Sequence, residues 1–202
     1  YGAIAPLVGV SVGTVVDLGG GLRVRLGAAG ELAAHWPQAG GLLPAGYERE
    51  PDRLCVLELE AELGDGSASG SGGVPDAPGE LADAITALRL ATAGAIAAGP
   101  VLFERLDWRP YGIRPVLPIA ATAPPGEGVR LDSVRAERAR RLRERLSAAD
   151  DDRDLGEALD RWELSLFQTD PFASEQLRGS LTSLLGGGEG VFAGPLRAAA
   201  VL

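Results

Sequence analysis

Among its 202 residues the chain has no lysine and no methionine, and only one cysteine and one histidine. Each scarcity closes a class of chemistry. A lone Cys55 forms no internal disulfide. It sits in the apolar run LCVLELEAEL, where a buried, inert thiol is expected rather than a nucleophile. A single His35, in AAHWPQ, leaves no Cys/His/Asp cluster with zinc spacing. It reads as a surface or packing histidine beside Trp36. The glycine runs at 19–21 and 186–188 lack the Gly-Lys-Ser/Thr ending of a phosphate loop, and there is no lysine to supply it. No Gly-x-Ser-x-Gly elbow is present. No stretch reaches the ~20 apolar residues of a membrane span, since AGAIAAGPVLF is short and broken by Gly99 and Pro100. Without methionine, Tyr1 is not a translation start, and both ends are expected to be cuts in a longer protein. A cytoplasmic chain without cofactor, metal or membrane is the expectation.

What is present is acidic and apolar. The net charge is −9, with pI near 4.7. That argues against a broad electrostatic nucleic-acid surface and leaves room for a local basic patch. The hydrophobic fraction of 46% supports a packed core. Every basic residue is arginine, which together with abundant Ala and Gly fits a GC-rich coding sequence.

The pattern divides into two halves. LVGVSV and TVVDL read as strands. DLGGGLRVRLG reads as a hairpin turning at Gly19–Gly21, with Leu22, Val24 and Leu26 on one face and Arg23 and Arg25 on the other. ELAAHW reads as a helical turn. LCVLELEAEL alternates Leu57, Leu59 and Ala61 with Glu58, Glu60 and Glu62, so the glutamates are expected on a solvent face. Were that face a catalytic site, it would make the chain a small carboxylate enzyme. Residues 64–79 form a Gly/Ser/Pro-rich loop. ELADAITALRLATAG reads as a helix that Gly94 can cap. VLFERLDW reads as a strand returning to the first sheet. The proline-rich stretch from Trp108 to Gly128 reads as an extended connector.

From Leu131 the period becomes helical. SVRAERARRLRERLSAAD places Val134, Ala139, Leu142, Leu146 and Ala149 on one stripe. Its basic run, Arg135 to Arg145, reads as a solvated face rather than a nucleic-acid contact, because no aromatics interleave it. Asp150, Asp151, Asp152 and Asp154 suit the positive end of a helix dipole better than calcium. The next helix carries Leu155, Leu159, Trp162 and Leu166. Pro171 opens a third with Leu177, Leu181 and Leu184. A fourth begins near Pro195. Short connections predict antiparallel neighbours. The expected fold is α+β: a strand-rich mixed unit over 1–125, then an antiparallel helical bundle over 130–202 that is incomplete at its C-terminal end. Its core anchors are Leu142, Leu159, Trp162, Leu166 and Leu181. Candidate polar interaction positions are Arg161, Glu163, Arg178 and Arg197. No catalytic residue is assigned.

The segment ALDRWELSLFQTDPFASEQLRGSLTSLLGGGEGVFAGPLRAAAVL, Ala158 to Leu202, resembles the Apea-like HEPN domain family. The shared features are an aromatic-plus-acid helix (Trp162-Glu163), a helix ending in two leucines and a glycine-rich turn, and a helix opening with an Arg-Ala-Ala segment. The upstream VVDLGGGLRVRLG, LCVLELEAEL and ITALRLATAG look like the mixed region that often precedes this domain. The resemblance implies a bacterial defence or toxin-like protein that cleaves RNA through an Arg-x(4–6)-His motif, commonly as a homodimer. That motif lies after the Arg-Ala-Ala segment. Arg197 is followed here by no histidine, and His35 lies in the wrong half. RNA cleavage is therefore expected of a full-length parent and not of these residues. The alternative is a non-enzymatic dimerisation, partner-binding or ligand-binding module.

Overall fold

A computed structural model describes residues 1–28, 30–43, 55–63, 75–99, 101–115, 128–147 and 152–185. The chain is a mixed α+β protein that divides into two compact units, Tyr1–Glu144 and Arg145–Leu202.

In the first unit, apolar alternation makes the strands and glycine turns set their order. β1 (Gly2–Val8), β2 (Val10–Val12), β3 (Val16–Gly19) and β4 (Leu22–Leu26) come first. α1 (Glu31–His35) and a 3-10 turn (Pro37–Gly41) follow. Then come β5 (Cys55–Glu60), α2 (Ala77–Thr92), β6 (Ala97–Ala98), β7 (Val101–Leu106), β8 (Arg109–Pro115), β9 (Val129–Leu131) and α3 (Ser133–Ser147). The main sheet runs β3-β4-β5-β1-β7-β8, with β6 also on β1. Its pairs are antiparallel, whereas β2 and β9 form a separate parallel pair.

The period of two divides the sheet into two cores. On one face Ala3, Leu22, Val24, Leu57 and Leu59 pack with Leu81, Ala84 and Leu88 of α2. Ala136 and Ala139 of α3 join the same core, with Leu142 partly buried against it. On the other face Ile4, Val56, Val101 and Phe103 pack with Leu32, Trp36 and Ala39. The α1 segment thus covers part of the sheet's second face.

The expected β3–β4 hairpin forms, with Val16 opposite Val24 and Asp17 opposite Arg23. Gly19, Gly20 and Gly21 all take positive φ. At Gly21 a Cβ would lie 2.0 Å from the carbonyl oxygen of Glu60. Only glycine fits there.

Several expectations are corrected. The stretch after Trp108 was expected to be a connector, but its first part is β8, an edge strand, where proline is tolerated because one side of the backbone has no ladder to complete. Residues 116–127 lie outside the described residues. Val134 does not join the α3 stripe, since it is 71% exposed. Ala93 at φ 53, rather than Gly94, caps α2.

In the second unit, α4 (Arg153–Leu166) and α5 (Phe172–Leu185) form a helical hairpin. Asp152 caps α4, its carboxylate accepting from the backbone N–H groups of Asp154 and Leu155. Asp152 and Asp154 thus stand at the start of the helix as expected, while Asp150 and Asp151 lie outside the described residues. Small residues bring the helices together: the Ser180 hydroxyl donates to the Ala158 carbonyl at 2.6 Å. The fourth expected helix, from Pro195, lies outside the described residues.

Candidate functional site

The charged side chains of β4, β5 and β7 converge on the second face of the sheet. Arg23 and Arg25 alternate away from Leu22 and Val24, and Glu58 stands directly opposite Arg23. Arg105 reaches in from β7. Glu58 was expected on a solvent face. It is 1% exposed, because its strand is central and arginines of the adjacent β4 and, across β1, of β7 reach over it. One carboxylate oxygen accepts from Nε of Arg23 and Nε of Arg25, each at 2.8 Å. The other accepts from Nη2 of Arg105 at 2.6 Å. Glu60 binds Arg105 at 2.5 Å and Arg23 at 3.0 Å. Glu31, in the first turn of α1, takes both terminal nitrogens of Arg25 and the backbone N–H of Ala28. The network therefore ties α1 to the sheet.

Burial alone would raise the Glu58 pKa. Hydrogen bonds from Arg25 and Arg23 and the charges of Arg25 and Arg105 overcome it, so the carboxyl sits below its ordinary value. The hydrogen bonds from Arg25 lower Glu31 in the same way. A carboxylate with both oxygens occupied by guanidinium groups is a poor proton acceptor. Glu58 is accordingly an organising charge and not a general base.

An open cleft of about 560 Å³ borders the network, lined by Glu60, Glu62, Arg105, Leu106, Asp107 and Trp108 among others. The Arg105 guanidinium lies 4.6 Å from the centroid of the Trp108 ring. On the sheet's first face a second buried carboxylate, Glu104, accepts from the Tyr1 hydroxyl and pairs with Arg114 at 2.8 Å.

The basic run of α3 is largely engaged locally. Arg140 pairs with Glu137 and Glu144, Arg141 with Glu137, and Arg135 with Asp132. Arg143 is different: it is mostly buried, pairs with Glu80 at 2.8 Å and donates to the Leu18 carbonyl. It is a structural tether between α2, α3 and the β3–β4 turn.

The candidate positions of the helical half do not gather into one site. Arg161 pairs with Glu157 on its own helix. Glu163 is buried and Arg178 is exposed. Arg197 lies outside the described residues. Of the expected anchors, Leu142, Leu159, Trp162 and Leu166 are partly buried. Leu181 is corrected: it is 58% exposed and lies with Leu177 and Leu184 on an open stripe of α5. The tightest contacts of the hairpin run through Ala158 and Ser180 instead. His35 is exposed with its ring edge-on to Trp36. Among the described residues no group of three or more His, Cys, Asp or Glu could hold a metal ion. Among them, too, no helix is long and apolar enough to cross a membrane.

The network joins residues that sequence reading kept apart. Arg105, Glu104 and Trp108 were not singled out. The available signal was a charge complement at period two: Arg23 and Arg25 on one strand, Glu58 and Glu60 on another. No family model, no curated protein and no solved structure matches this chain.

Proposed function

We propose that the chain is part of a HEPN-type bacterial defence or toxin-like protein, in which RNA cleavage belongs to a longer parent and not to these residues. The observation that carries the reading is the α4–α5 hairpin. It presents Trp162-Glu163 on one helix and ends the other in Leu184-Leu185, in the order the family resemblance requires. The open stripe of Leu177, Leu181 and Leu184 on α5 is what a helix of a larger bundle, or of a homodimer, carries. Glu58 is locked among arginines, and His35 is exposed with its ring against Trp36.

In the parent, a histidine would act as general acid/base on the RNA 2′-hydroxyl and leaving oxygen, while an arginine would stabilise phosphate charge in the transition state. The coding sequence beyond Leu202 tests the reading. It should stay open and encode an arginine followed four to six residues later by a histidine. An immediate stop codon would remove the nuclease reading and favour the non-enzymatic partner-binding module.

A further inference from the structure

The β7–β8 hairpin turns through Asp107 and Trp108, at φ 47 and 64. Tight hairpin turns of this kind favour Asn-Gly or Asp-Gly, and a bulky side chain at positive φ is rare. Trp108 is nevertheless there, 75% exposed, at the mouth of the cleft. Its ring is not loose. Arg105 lies against it, and Arg105 is held by Glu58 and Glu60. The ring is thus pre-positioned by a buried charge network.

The charges around it define what would bind. The cleft walls carry Glu60, Glu62 and Asp107. Glu62 and Asp107 are exposed and have no ion-pair partner among the described residues. The charge of Arg105 is already balanced by Glu58 and Glu60. Leu106 and Leu63, 38% and 36% exposed, offer apolar surface beside the carboxylates. A phosphate would meet three carboxylates here. A planar cation on an aliphatic stem meets the indole surface that Arg105 leaves exposed, an apolar wall and two acids without an ion-pair partner among the described residues. Guanidinium suits this better than ammonium, because it stacks on indole and binds carboxylates in a fork.

We propose that the cleft beside Trp108 is a recognition site for an arginine side chain presented by a protein partner. The site is independent of RNA cleavage and uses none of the positions assigned to it.

The probe is an acetylated, amidated tetra-arginine peptide, titrated into the ¹⁵N-labelled chain while the three indole N–H resonances are followed by NMR. The Trp108 resonance, assigned by its loss in Trp108→Gly, should shift saturably, and those of Trp36 and Trp162 should not. Glycine suits a positive φ, so Trp108→Gly should remain folded and lose binding. Calorimetry with the Glu62→Gln/Asp107→Asn double variant should show affinity about tenfold lower, the loss of two exposed charge contacts. A tetra-lysine peptide should bind about fivefold more weakly, from the lost stacking. The proposal is overturned if the Trp108 resonance does not move, or if folded Trp108→Gly binds as well as the parent chain. It is equally overturned if tetra-lysine matches tetra-arginine, or if a single-stranded RNA oligonucleotide shifts Trp108 and the peptide does not.

Discussion

Glu58 shows how a single residue can reverse the meaning of a pattern. Its strand alternates as the sequence says, yet the face it joins is closed by arginines from the adjacent β4 and, across β1, from β7. Removing its charge leaves three guanidinium groups around a neutral amide. Glu58→Gln should cost about 3 kcal/mol in urea titration, the scale for breaking a buried charge pair from one side. A loss near zero would show the network to be mere surface charge. The pH dependence has a definite sign. The folded carboxyl titrates below its unfolded value of about 4.3, so its contribution is complete above that pH. It is lost as pH falls from there through the folded pKa. Unfolding free energy plotted against pH should therefore fall less steeply below pH ~4 in Glu58→Gln than in the parent chain. Gly21 supplies the other single-residue test. An added Cβ would collide with the backbone of Glu60, and φ is +79. Gly21→Ala should cost about 2–4 kcal/mol from strain and overpacking together. An unchanged midpoint would mean that the hairpin does not hold this turn.

Elements were legible where one period held over enough residues. The β3–β4 hairpin, β5, α2 and the helical run of the second half follow directly from spacings of two or of three and four. Faces were less legible than elements. Val134 and Leu181 fit a helical stripe by spacing but stand in solvent, because the contacts that close α3 and α5 run through alanine and serine. Small residues carry little hydropathy signal, although they allow the closest helix approach. β8 was hidden by its prolines, which an edge strand accepts. The charge network was hidden for another reason: its partners lie far apart in the chain, and only the strand order β4-β5-β1-β7 brings them together. Two predictions belong to this scale. Trp162 is only partly buried, so Trp162→Ala should cost about 1–2 kcal/mol rather than the 3–5 of a fully buried tryptophan. Ser180→Ala should remove a buried hydrogen bond and cost about 1 kcal/mol, read as loss of helical ellipticity at lower urea concentration. A larger effect at Trp162 than at Ser180 is expected. The reverse order would place the hairpin's stability in its small-residue contact.

At the scale of the whole molecule, the sheet-rich unit and the helical unit carry different chemistry. The first ties Glu58 into a closed network and, beside it, has an open cleft with an indole at its mouth. The second offers an apolar stripe on α5. Such a division suits a protein whose first part recognises a partner and whose second part belongs to a larger helical assembly. The central claim, an RNA-cleaving parent, is tested most directly by one assay. Any longer protein that carries the proposed arginine and histidine beyond Leu202 should be incubated with RNA beside its double variant, in which both are alanine. The account predicts cleavage by the former and at least ~100-fold slower cleavage by the latter, the scale of a lost general acid/base. Full activity in the double variant would contradict it.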